Sequence, residues 1–286
     1  MKAVTYILVL FLAIGCLSGC TSDDGPKGLP QEPGEPLAAK NLLELSYGAD
    51  PEQVYDIYLP KNGTLETKVI ILVHGGGWNS GDKYDMVGFK DYLREQLPNL
   101  AIVNMNYRLA DGNNPPFPMQ INDISSVVND LKNKQDEYQI STELGFLGAS
   151  AGGHLSLLWS YAHDQSEHVN MVCSVVGPTN LADEAYLTAT DKDLKDLILQ
   201  FGTDIETLKS VSPFYRVEST SPPTILFYGA RDPLIPNSQG IALNDKLEEL
   251  NVKHEFTLYA NGGHGWIGLD LLDTSVKLKA FIEKHL

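Results

Sequence analysis

At 286 residues and a formal net charge of −16, the chain is long enough to bury the core of one large α/β domain. It is too acidic to have an electrostatic reason to bind nucleic acid or an anionic bilayer face. Its 43% content of apolar residues excludes wholesale disorder.

The first segment, "MKAVTYILVLFLAIGCLSGC", sets one cation, Lys2, before an apolar stretch and then small residues. That is the layout of a secretory signal, and the apolar stretch is short for a transmembrane helix. Its end, "LSGC", resembles the bacterial lipobox, in which the peptide is cut before the cysteine and the thiol is acylated. The resemblance implies a signal peptide over 1–19, a lipid on Cys20, and an exported protein anchored to a bacterial membrane through that lipid alone. Cys16 then leaves with the signal, and Cys173 stays alone in the apolar run "VNMVCSVVG" as a buried small hydrophobe. Residues 20–40 are rich in Pro, Gly and acid and read as a tether. The "SDD" beside Cys20 resembles the surface-export signals of Bacteroidetes-type lipoproteins, with a plain solvated linker as the alternative.

From residue 41 to 286 the pattern is that of one domain. Strands are predicted at "LLELSY", "VYDIYL", "VIILVH", "AIVNMNY", "LGFLGA", "NMVCSVV", "TILFYGA" and "HEFTLYA". Helical patterns fall between the later ones, at "DYLREQL", "QINDISSVVNDLKNK", "GGHLSLLWSYAHD" and "IALNDKLEELN", and a last one, "SVKLKAFIEKHL", ends the chain. The alternation predicts a mostly parallel eight-stranded sheet with helices on both faces. The first two strands have no helix between them and should form an antiparallel lead-in. Residues 181–216 interrupt the alternation with a short helical insertion.

"LGFLGASAGGHLSLL" carries the strongest chemical signal. An apolar strand ends in Gly148-Ala149-Ser150-Ala151-Gly152 and a helix follows, which is the strand–turn–helix setting of a G-x-S-x-G nucleophile elbow. A serine hydroxyl needs a base, and the base needs an orienting acid. "GARDP" supplies Asp232 directly after an apolar strand, and "GGHGW" supplies His264 in the loop after the next. Loops beyond the carboxyl ends of parallel strands share one edge of the sheet. Asp191, Asp193, Asp196 and Asp204 fall in the insertion and read as a solvated face. His154 reads as packing or capping beneath the site, and His74 as shaping its loop. Attack by Ser150 would create an oxyanion, and the N–H of Ala151 is one donor for it. The glycines of "HGGGW" let a second backbone segment come close enough to supply others.

Taken together, "HGGGW", "NYRLA", "GASAGG", "GARDP" and "GGHGW" resemble the α/β-hydrolase superfamily. Within it they point to the branch of hormone-sensitive-lipase-like esterases and bifunctional feruloyl/acetyl-xylan-esterase-like enzymes. The resemblance implies an α/β-hydrolase fold, oxyanion donors at Gly76 and Gly77, and neither a metal nor an organic cofactor. It gives "NYRLA", "NPPFP" and Asp123 structural rather than chemical roles. The expected activity is that of a serine carboxylesterase on short acyl or aryl esters, with small-molecule or carbohydrate esters as substrates. The short insertion argues against long-chain triglycerides. Trp78, Tyr107 and Trp266 either line the pocket or pack in the core. An amidase or formamidase on the same scaffold is the alternative enzyme, and a catalytically silent binding protein the alternative class. A peptidase is disfavoured, because no gating domain precedes the hydrolase pattern.

Overall fold

The computed structural model describes residues 37–286; the expected signal peptide, Cys20 and the expected tether as far as residue 36 lie outside the described residues. The eight predicted strands all form: β1 (Lys40–Ser46), β2 (Val54–Leu59), β3 (Val69–Val73), β4 (Ala101–Met105), β5 (Leu144–Ala149), β6 (Val169–Val175), β7 (Thr224–Gly229) and β8 (His254–Tyr259). They make one sheet in the order β1-β2-β4-β3-β5-β6-β7-β8. β1 and β2 are the antiparallel lead-in, with β2 antiparallel to β4. Every later pairing is parallel.

The larger helices are α1 (Val87–Gln96), α2 (Pro116–Asn133), α4 (Ala151–Ala162), α8 (Asn237–Glu249) and α9 (Leu269–His285); α3 (Gln135–Tyr138) is one turn after α2. The insertion holds α5 (Glu184–Leu187), α6 (Lys192–Leu199) and α7 (Ile205–Ser210). Among the described residues, no helix is long and apolar enough to cross a membrane.

Period-two alternation along the central strands divides the core. Val69, Ile71 and Val73 face α2, α4 and α8, whereas Ile70 and Leu72 face α1 and α9. Cys173 is fully buried on the α1/α9 side, as its apolar context predicts, and burial pushes its thiol far up.

Four helices begin several residues before the apolar periodicity does. α2 starts on Pro116, which suits a first turn because its missing N–H would have no intrahelical partner. α8 carries Gly240 in its second turn, where a Cβ would lie 2.6 Å from Tyr228 Cδ2. α9 opens with Leu269, Leu271 and Leu272 exposed, so that turn has no inward apolar face to read.

Asp123 on α2 is fully buried and binds the Arg108 guanidinium, with Arg108 Nη2 at 2.6 Å, while accepting from Arg108 N at 2.9 Å and Gln53 Nε2 at 2.8 Å. This pair fixes the "NYRLA" segment, whose Ala110 N in turn donates to Trp78 O at 2.9 Å. At the opposite end of the sheet, Asn62 N donates to Leu37 O, and Lys40 pairs with Leu59. The C-terminal Leu286 packs there too, against the start of β5 at Gly145.

Candidate active site

Three loops at the carboxyl edge of the sheet bring Ser150, His264 and Asp232 together. Ser150 stands between β5 and α4 with φ 51° and ψ −119°, a conformation that costs an L-residue on the order of 1–3 kcal/mol. The turn closes only because its neighbours are small. A Cβ on Gly152 would sit 2.1 Å from Val73 O, and one on Gly148 would sit 2.2 Å from Gly152 O. Ser150 N donates to Val175 O at 2.8 Å, which ties the elbow to β6.

Asp232 follows β7, and its side chain is fully buried while that of His264 is 29% exposed. Its Oδ1 accepts from Leu234 N at 2.8 Å and Ile235 N at 3.0 Å. That leaves Oδ2 for His264 Nδ1, at 2.8 Å. With Nδ1 as donor, His264 Nε2 is an acceptor, and Ser150 Oγ lies 3.0 Å from it. The hydroxyl proton therefore points at a base whose tautomer is fixed from behind.

The "HGGG" loop lies against this elbow. A Cβ on Gly75 would be 3.2 Å from Ser150 Cβ, so this glycine makes the closest approach. Gly76 has φ 107°, and a Cβ there would lie 2.0 Å from Ser80 O. In a trans peptide the C=O of one residue and the N–H of the next point in opposite directions. His74 Nδ1 donates to Gly75 O at 2.7 Å, which aims the Gly76 N–H the other way. Ser80 Oγ at 2.7 Å and Ser80 N at 3.0 Å hold Gly76 O, which aims the Gly77 N–H. Gln200, just after α6, donates to Gly77 O at 2.9 Å. Among the described residues, the amides of Gly76, Gly77 and Ala151 donate to no protein acceptor. Burial holds the His74 pKa below the usual histidine range, so the ring is a neutral Nδ1 donor. It stacks on Tyr107 with centroids 4.2 Å apart.

A cavity of about 730 Å³ opens over Ser150, His264 and the three glycines. Of the three predicted pocket aromatics only Trp266 lines it. Its indole N–H donates to Thr274 Oγ1 at 2.7 Å, which pins the His264 loop to α9. Trp78 and Tyr107 are corrections: both are fully buried. Tyr107 donates to His74 O at 2.9 Å, and Trp78 Nε1 to His154 Nδ1 at 3.2 Å, so core partners satisfy both polar tips. The sequence reading missed Ser80 and Gln200. Ser80 is a lone serine after a glycine loop, and Gln200 meets that loop only through the fold. Among the described residues, no cluster of three or more His, Cys, Asp or Glu is placed to hold a metal ion.

A mostly parallel sheet whose carboxyl edge carries a serine elbow is the architecture of an α/β-hydrolase. Residues 55–247 match the model of the BD-FAE family, and the chain belongs to that family. Among curated proteins it is 26% identical to esterase LipC of Mycobacterium tuberculosis, over 79% of this chain and 59% of that protein. It is also 26% identical to a probable isoprenylcysteine alpha-carbonyl methylesterase, ICMEL1, of Arabidopsis thaliana, over 76% and 49%. The chain thus spans about half the length of these relatives. Among solved structures, a truncated carbohydrate esterase from gut microbiota superposes with a TM-score of 0.70 at 21% identity, covering 85% of this chain and 96% of that one. The esterase Est2 of Thermogutta terrifontis gives 0.69 at 20% identity, covering 89% and 96%.

His154, four residues into the elbow turn, joins the parts of the site from below. Its Nδ1 accepts from Trp78 and its Nε2 donates to Val211 O at 2.8 Å, which defines one neutral tautomer. Phe201 packs edge-on to both rings. Burial lowers the His154 pKa to about 4, against the opposing bond to Val211. In the unfolded chain the ring titrates near 6.5, so between those values the unfolded state binds a proton that the folded state refuses. Stability from this residue is complete above pH ~6.5 and falls as pH drops through that window, by about 3 kcal/mol in all. We predict that urea melts of the wild type and His154→Gln at pH 7 and pH 4.5 will diverge. The wild type should lose more stability on acidification, by most of that amount. Equal losses would refute the assignment.

Proposed function

We propose that this chain is a serine carboxylic-ester hydrolase acting on short acyl or aryl esters, with ester decorations of carbohydrates as the first substrate class to test. The observation that carries the reading is the unbroken chain from Asp232 Oδ2 to His264 Nδ1 at 2.8 Å and from His264 Nε2 to Ser150 Oγ at 3.0 Å. It faces a cavity beside amides that, among the described residues, have no protein acceptor. The esterase and methylesterase names of the relatives, and the carbohydrate-esterase name of a structural neighbour, support the same class.

In this mechanism Ser150 Oγ attacks the acyl carbon as His264 Nε2 takes its proton. The carbonyl electron pair moves onto oxygen, which the N–H groups of Gly76, Gly77 and Ala151 receive. The imidazolium then passes the proton to the leaving alcohol as the C–O bond breaks, and the acyl group stays on Ser150. Water attacks this ester as His264 takes its proton; the bond from the acyl carbon to Ser150 Oγ then breaks, Oγ takes that proton back from the imidazolium, and the acid leaves. Asp232 holds the imidazole tautomer and stabilises its charged form. The partial exposure of His264 gives that water a route. We also propose that the protein is exported and held at a bacterial membrane by lipid on Cys20, a reading supported by the "LSGC" pattern.

Ser150→Ala should abolish hydrolysis of p-nitrophenyl acetate, acetylated xylan and methyl ferulate with an unchanged circular-dichroism spectrum, and Asp232→Asn should cost about 10⁴-fold in kcat. Retained activity in Ser150→Ala would sink the nucleophile. For the oxyanion loop, Gly76→Val is a poor probe, since its side chain would strike Ser80 O and disrupt the loop itself. Ser80→Ala is cleaner because it removes only one of the bonds on Gly76 O. Losing a donor outright costs about 100- to 1,000-fold, so loosening one should lower kcat about tenfold with KM nearly unchanged. A raised KM at constant kcat would assign Ser80 to substrate binding instead. Finally, Cys20→Ser should move the protein from the membrane fraction to the soluble fraction of expressing cells. A wild type that is already soluble after export would refute the anchor.

A further inference from the structure

Val176 is a β-branched residue at φ 48°, a backbone region that such residues rarely enter. It follows β6 beside the nucleophile: Ser150 N donates to Val175 O, and Val176 N donates to Phe227 O at 2.8 Å. On its other side, Gly177 O accepts from Tyr228 OH, and a Cβ on Gly177 would lie 2.9 Å from His154 N. The backbone is therefore bolted on both flanks, and the strained φ has no room to relax. Glycine would meet this backbone requirement with less strain. The side chain must then contribute something that glycine does not.

What it contributes is a wall. Val176 is 3% exposed, yet it lines the cavity over Ser150. It belongs to the core cluster on the α1/α9 face, against which Phe89 and Trp266 pack. Phe89, Trp266, Leu271 and Val175 line the same cavity, so an apolar lobe runs between the first turns of α1 and α9. Building on the ester-hydrolase reading, we infer that Val176 is a specificity-determining residue whose isopropyl group closes this lobe and limits the length of the ester arm that enters it.

The test is kcat/KM for two series on the wild type, Val176→Gly, Val176→Ala and Val176→Leu, each checked by a thermal melt. One series varies the acyl chain from acetyl to octanoyl on p-nitrophenol, and the other varies the alcohol from methyl to octyl on acetate. A methylene or two in an apolar pocket is worth roughly 10- to 200-fold. Val176→Gly should raise the hexyl-to-shortest ratio at least tenfold in one series, which identifies the arm, with Val176→Ala intermediate. Val176→Leu should lower the same ratio. If the glycine variant does not fold, the alanine and leucine variants carry the opposed pair of shifts. Wild-type turnover with unchanged ratios in both series would overturn the role of Val176 alone. A wild type that hydrolyses no ester of either series would overturn it together with the hydrolase reading.

Discussion

The site depends on one close contact, that between the end of β3 and the start of α4. The backbone of Gly152 approaches Val73 O so closely that a single methyl group would not fit between them. This packing sets the elbow and the glycine loop side by side. It forces Ser150 into a left-handed conformation that no local preference favours. The cost is local and the compensation is distributed: β5 pairs with β3 and β6 along its length, and the first two turns of α4 are buried. A serine in a flexible turn would keep its hydroxyl but lose the fixed line to His264.

Around that contact polar side chains, the buried His74, the half-buried Gln200 and the exposed Ser80, hold the carbonyl oxygens of the glycine loop. His74, Ser80 and Gln200 each bind the outward carbonyl of one peptide in the glycine loop. Lys83, buried just beyond, pairs with Glu44 and with Asp56 at 3.5 Å, and its backbone N–H donates to Asn106 Oδ1 at 2.6 Å. Each such bond is modest alone, but a buried polar group without a partner is expensive, so the network favours one loop geometry over its alternatives. The direction of the amides follows from this framework and not from the glycines themselves, which supply only the freedom to be directed.

How much of this was legible depends on where each signal is written. Ser150, Asp232 and His264 fall one, three and five residues after the ends of β5, β7 and β8, so the strand pattern and the motifs located the loops that the sheet then brought to one edge. The central strands were legible for the same reason, being short apolar runs with sharp ends. Trp78 and Tyr107 were not, because an aromatic next to a motif looks the same whether its polar tip meets substrate or a buried partner. His154 and His74 are those partners, and both contacts span many residues of chain. Helix starts were blurred where the first two turns carry Pro, Gly or exposed leucines. The strain at Val176 was invisible too, since "SVVG" reads as an ordinary strand end.

The chain enters the domain where Leu37 and Lys40 meet Asn62 and Leu59, and it leaves it at Leu286 beside Gly145. Both places lie at the amino ends of the parallel strands, whereas the cavity opens beyond their carboxyl ends. A strand's length, about 17–20 Å, therefore separates Leu37 and Leu286 from the mouth. Leu37 and Leu286 thus lie at the end of the sheet that faces away from the cavity. A molecule approaching Ser150 through the cavity enters from the other end and passes neither of them.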